Sequence, residues 1–213
     1  MEKKTHYPDF DVLSLKEEWD DNTREVVLKR LGPFPAKNFL SEDEEKLLRV
    51  ICSHMVYDNR DDIFDWVLYF IDQRLHSEIG ESHRKPNMPA EKNLIRLGLQ
   101  AINKVTQIKN GKSFINIDVK EQFQILASLQ LGKVFNMPEW KTVPQKDLFK
   151  KLQELIVGAY YSHPIIWSEI GYGGPAYPRG YYRLELGWAD PWEPKMGEPK
   201  SQGFHKEARK DGK

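Results

Sequence analysis

The stretch from Tyr160 to Pro194, YYSHPIIWSEIGYGGPAYPRGYYRLELGWADPWEP, limits the folds open to this chain more than any other. Between Gly171 and Pro199 stand six Gly, five Pro, four Tyr and two Trp. Gly and Pro at that density exclude a regular helix or an inner strand, because Gly loses the most conformational freedom on ordering and Pro lacks the amide donor. Trp and Tyr at that density exclude a solvated linker. The segment must therefore follow an irregular path through specified turns with its rings laid against something. Its own aromatic burial returns less than the ordering of its backbone costs. It needs a larger apolar surface, supplied by the chain's own helices, by a second polypeptide, or by both. Tyr, Trp and Arg also dominate interface energetics, which favours a partner-facing role.

The rest of the chain is written in helical periods. With 213 residues, 39% of them hydrophobic, it can bury one sizeable core. Asp20, Asp21 and Asn22 offer cap oxygens to a short helix over Thr23–Leu31, stopped by Gly32. Ser41 and Glu44 form a capping box for a helix with Leu47, Leu48, Ile51 and Met55 inward. Asp61 or Asp62 caps the next, which carries Phe64, Val67, Leu68, Ile71 and Leu75, runs to about Glu78 and is ended by Gly80. From Pro89 to Lys109 an amphipathic pattern turns Leu94, Leu97, Ala101, Ile102, Val105 and Ile108 inward. Asp118 opens a helix that Gly132 stops, and Lys146–Tyr161 is the last. His163 and Pro164 then mark the change to the irregular segment. The expected fold is all-α: a single helical domain of about six helices (20–161), an extended N-terminal arm (1–19), a Gly/Pro/aromatic C-terminal arm (162–199) and a disordered tail (200–213).

Charge and chemistry narrow the function mostly by exclusion. The 32 basic and 32 acidic side chains cancel, so no global field draws nucleic acid or an anionic membrane. There is no signal peptide, no twin-arginine pair and no apolar run of membrane-spanning length, and the one cysteine, Cys52, fits a reducing compartment, so a cytoplasmic location is expected. One cysteine cannot supply a CxxCH haem site or a cysteine-held iron–sulfur cluster. GYGGP at 171–175 is followed by Ala176 and Tyr177 and lacks the strand and helix of a dinucleotide fold. The six histidines show no metal-ligand spacing, so no metal is expected. His163, Glu169, Glu185, Asp190 and Glu193 are the candidates for acid–base work. Carboxylates set between aromatics in a turn-rich segment more often accept backbone hydrogen bonds or pair with Arg, here Arg179 or Arg183. The residues read as a helical, cofactor-poor subunit.

The run YYSHPIIWSEIGYGGPAYPRGYYRL, preceded by a helical domain and by YPDFDVLSLKEEWDDNTREVVLKRLGP, resembles the gluconate 2-dehydrogenase subunit 3 family from about Tyr7 to Trp192. GYGGPAYPRGY at 171–181 is its most specific element. The resemblance implies a mostly helical small subunit with no catalytic residues, which wraps and stabilises a large flavoprotein of the glucose–methanol–choline class. That partner would hold FAD and oxidise a sugar, glycoside or related polyol. Trp167, Tyr172, Gly173, Gly174, Pro175, Pro178, Arg179, Gly180 and Tyr181 carry the signature, and the ten partner-binding candidates are Trp167, Tyr172, Gly173, Gly174, Pro175, Tyr177, Arg179, Tyr181, Trp188 and Trp192. The missing twin-arginine leader, which many exported members carry, favours a cytoplasmic complex. Two alternatives remain: a folding or export chaperone of that flavoprotein, and a self-sufficient enzyme using Glu169 with His163 or Asp190.

Overall fold

The computed structural model describes residues 5–77, 84–86, 88–180 and 189–195. Among them are seven α-helices, four short 3₁₀ turns and no strand: α1 (Asp21–Leu28), α2 (Glu42–Val56), α3 (Asp61–His76), α4 (Glu91–Asn110), α5 (Val119–Leu131), α6 (Gln145–Tyr160) and α7 (Pro164–Ile170). The all-α expectation holds. Gly80, Tyr181, Arg183, Glu185, Trp188 and the expected 200–213 tail lie outside the described residues.

Local chemistry sets most of the boundaries. Ser41 and Glu44 make both halves of the capping box at the start of α2. Asp118 accepts from the Lys120 amide ahead of α5, and Gly111 and Gly132 end α4 and α5 with left-handed backbone. Several boundaries differ from expectation. The helix expected over Thr23–Leu31 is α1, Asp21–Leu28, followed by a 3₁₀ turn at Lys29–Leu31; Asp21 and Asn22 lie inside α1, and Asp20 accepts from the Asn22 and Thr23 amides. α3 starts after Arg60, with Asp61 and Asp62 in its first turn, where negative charge suits the helix dipole. The segment Val12–Glu18, expected to be extended, is a 3₁₀ turn whose N-cap Asp11 accepts from the Leu13 amide. The irregular segment opens with a further helix, α7, because Pro164 at its first position presets φ and gives up only an amide that would lack an intrahelical partner anyway.

Contacts divide the chain into two compact units, residues 26–163 and a unit drawn from both ends, residues 1–25 with 164–213. In the central unit α6 is the hub, packing on α2, α3, α4 and α5. Leu48, Ile51, Phe64, Leu68, Ile95, Leu99, Ile102, Leu129, Leu148 and Ile156 are buried there, each worth about 1.5–3 kcal/mol for full burial. The inward face of α4 is rotated from the expected one. Leu97 and Ile108 are exposed, while Ile95, Gly98, Leu99 and Thr106 are buried. The reason is Gly98, where a Cβ would lie 2.3 Å from Leu148 Cδ1, so α6 sits directly on the backbone of α4.

Several buried polar groups inside the central unit have matched partners. The Asp72 carboxylate, fully buried, accepts from the amides of Asn38, Phe39 and Leu40 at 2.8–2.9 Å and fixes the connector before α2. The end of α6 is held by Trp66, whose indole donates to Ala159 O and Ser162 Oγ, and by Arg30, which donates to Ser162 O. Tyr160 donates to Asp58 Oδ2 at 2.7 Å, and Arg60 Nε donates to the same oxygen at 2.9 Å. Burial alone would raise the Asp58 carboxyl; the hydrogen bonds from Arg60 and Tyr160 outweigh it and hold Asp58 well below the usual carboxylate range. Burial, reinforced by that carboxylate, pushes the Tyr160 phenol up.

Candidate functional site

The glycine-rich signature lies in the unit made from the chain ends, and its geometry explains its composition. α7 ends at Gly171, which takes φ +76°. A Cβ there would come within 2.3 Å of the Tyr7 ring. At Gly173 it would meet Trp192 Cδ1 at 2.8 Å, and at Gly174, with φ +80°, Trp19 Cζ2 at 2.7 Å and Val12 Cγ2 at 3.3 Å. Each of these glycines is a seat for an aromatic ring from elsewhere in the same unit. The N-terminal aromatics find their surface on the C-terminal segment, and that segment gains part of the apolar contact its own sequence lacks.

Hydrogen bonds tie the same strands of chain together. Thr5 Oγ1 donates to Glu169 O at 2.6 Å, and Ser168 Oγ accepts from the Val12 amide at 3.1 Å. Arg179 is the clasp of the turn. It donates to Gly173 O at 2.7 Å and Pro175 O at 2.9 Å, pairs with Glu18 at 3.1 Å, and holds its guanidinium 4.6 Å from the Trp192 ring centre. A guanidinium suits this position because its planar fork serves two carbonyls and a carboxylate while its face rests on an indole.

The ten partner-binding candidates separate by exposure. Trp167, Gly173 and Gly174 are buried, and Pro175, Arg179 and Trp192 are half-buried. Tyr172 and Tyr177 are 46% and 70% exposed and present their rings outward, while the Trp167 ring meets Tyr172 edge-on at 5.2 Å. Tyr181 and Trp188 lie outside the described residues.

The acid–base candidates fall in different settings. His163 is 1% exposed in the central unit, and burial pushes it down to about 4, Asp62 pulling the other way. Glu169 is half-buried on α7 and Asp190 is buried in the terminal unit. Glu193 accepts from the Asp190 amide at 3.0 Å and donates its own amide back to Asp190 O, a closed turn. The glycines of GYGGP are filled by rings and leave no cradle for a phosphate. Among the described residues no group of three or more His, Cys, Asp or Glu side chains could hold a metal, and no helix is long and apolar enough to cross a membrane.

Sequence reasoning missed α7, the seat at Gly98 and the anchoring role of Asp72. The first had a signal in Pro164 followed by Ile165, Ile166 and Trp167, and the last in an acid standing inside the apolar face of α3. A family model described as gluconate 2-dehydrogenase subunit 3 matches residues 42–174, from the first turn of α2 to the last glycine of GYGG. No curated protein and no solved structure matches the chain.

Proposed function

Because the chain belongs to the gluconate 2-dehydrogenase subunit 3 family, we propose that it is the non-catalytic small subunit of a flavin-dependent dehydrogenase. It binds and stabilises a large subunit of the glucose–methanol–choline type, which carries FAD and oxidises a sugar, glycoside or related polyol. The observation that supports this most is the extent of the family match, which spans the five core helices α2 to α6 and α7 and reaches the first four residues of the glycine signature. The outward rings of Tyr172 and Tyr177 suit an interface, since Tyr gives large contact area at low entropic cost.

The reading is tested by co-expressing the chain with the flavoprotein encoded beside it. The expected result is one species on size exclusion, with the flavoprotein losing solubility or flavin when expressed alone. Two separate peaks, with a fully active flavoprotein in one, would overturn it. A complex seen during maturation and absent from the finished enzyme would instead make the chain a folding or export chaperone.

A further inference from the structure

Residues 5–19 meet the C-terminal segment along their whole length. Thr5 donates to Glu169 O, the Tyr7 ring lies against Gly171, the Val12 amide donates to Ser168 Oγ, Val12 and Trp19 close on Gly174, and Glu18 pairs with Arg179. Two of the side chains that make these contacts are buried, Val12 at 0% and Trp19 at 3% exposed. What covers them is this chain's own signature.

The signature in turn leans on the arm. From Gly171 to Gly180 the backbone is neither helix nor strand, so no regular ladder of hydrogen bonds offsets the entropy lost in ordering it. It closes on itself where the Tyr172 amide donates to Trp167 O at 2.9 Å, where the Gly180 amide donates to Ala176 O at 2.7 Å, and where Arg179 holds the carbonyls of Gly173 and Pro175. Glu18, on the arm, fixes that guanidinium from the other side. A turn requires glycine only for its positive φ, yet at Gly171 and Gly174 a ring of the arm also fills the space of the absent Cβ. The backbone of the signature is therefore fitted to this arm, and each segment supplies the apolar surface that the other needs to order.

We propose that residues 5–19 are an intrachain clasp that sets the order of the signature 171–180 and, resting on the subunit reading, the affinity of the chain for the large flavoprotein subunit. The exposed rings of Tyr172 and Tyr177 stand on the clasped stretch. With the arm docked their backbone is ordered before association; with the arm loosened the cost of ordering it falls on the binding step. Val12 and Trp19 are positioning residues. Buried beneath the chain's own contacts, they act on a partner through the signature and not by touching it.

The test reads amide exchange of the full-length chain alone and then titrates the chain with the flavin-loaded large subunit. Trp19→Ala and Val12→Ala are expected to speed exchange of the Tyr172 and Gly180 amides about tenfold or more, to leave the amides of α2–α6 as they are, and to weaken association about fivefold. Trp19→Phe, which keeps a ring against Gly174, restores most of both. Thr5→Val removes one hydrogen bond and leaves the ring contacts, and it speeds exchange only about threefold. Wild-type exchange at both amides in Trp19→Ala would overturn the clasp. So would protection lost throughout α2–α6, which would make the arm a support of the central core instead of the signature. Faster exchange with unchanged affinity would overturn the effect on association and leave the subunit reading standing. A wild-type chain that does not bind the large subunit would sink the subunit reading, while the exchange result still decides the clasp.

Discussion

At the residue scale two positive-φ positions, Gly174 and Tyr57, have opposite causes. Gly174 takes φ +80° with the Trp19 ring against it, so a side chain there is opposed both by conformation and by volume. Gly174→Val is expected to cost about 2–4 kcal/mol and to release Trp19, which amide exchange over residues 12–19 and Trp fluorescence would register; wild-type protection would refute the seat. Tyr57 is the reverse case, a bulky residue at φ 53° that is 81% exposed at the C-cap of α2. Its ring stacks on Phe123 at 5.8 Å, and Phe123 in turn touches His54. Removing the left-handed strain outweighs losing one exposed stack, so Tyr57→Gly should raise the urea midpoint by an amount equivalent to about 0.5–1 kcal/mol. A lowered midpoint would mean that the stack is the stronger term. The need for glycine at Gly174 was legible in a turn-rich run, because such turns demand positive φ. The strain at Tyr57 was not, since nothing in HMVYDN distinguishes a left-handed tyrosine from a loop residue.

At the scale of elements, helices announced by a cap and an apolar period were readable and those fixed by partners were not. Ser41 with Glu44, and Asp118 with Gly132, are local signals: α2 begins where the first pair places it, and α5 begins and ends where the second does. The face of α4 depends on Leu148, some fifty residues away, and a periodicity that counts only large side chains points the helix by Leu97 and Ile108 and misses the close approach over Gly98. The connector before α2 is a second such case, since its order comes from Asp72 on α3. Asp72→Ala would leave the three amides of residues 38–40 without their acceptor. The expected loss is at least about 3 kcal/mol, with exchange protection of those three amides lost first. A variant that keeps their protection would show that the connector is held by packing alone. The terminal unit follows the same rule: its glycines were visible, but the rings that fill them come from residues more than 150 positions earlier or from Trp192.

At the scale of the whole molecule, acid sensitivity follows from one buried ring. His163 is 1% exposed, and burial lowers it from 6.5 to about 4, with Asp62 opposing, the Arg60 charge adding, and Arg30 acting both ways through its charge and a backbone hydrogen bond. Above about pH 6.5 the ring is neutral in both states and its contribution is complete. Between about pH 6.5 and 4 the unfolded chain takes up a proton that the native chain refuses, so stability falls as the pH falls. The shift corresponds to up to about 3 kcal/mol, a large part of what a domain of this size has to spare. Below that window the ring adds no further slope, and Asp58 takes over: its depressed carboxyl stabilises the fold above the ordinary aspartate range and loses that contribution as it protonates. Two acid-driven losses therefore follow one another, the first from a base kept neutral and the second from an acid kept charged. Urea midpoints taken from about pH 7.5 down to 4 should decline through the first window, and His163→Gln, which keeps a polar side chain without a titrating ring, should flatten that decline while leaving the steeper fall below about pH 4. An undiminished slope in the variant would mean that other groups carry the proton uptake and that the burial of His163 has no bearing on acid stability.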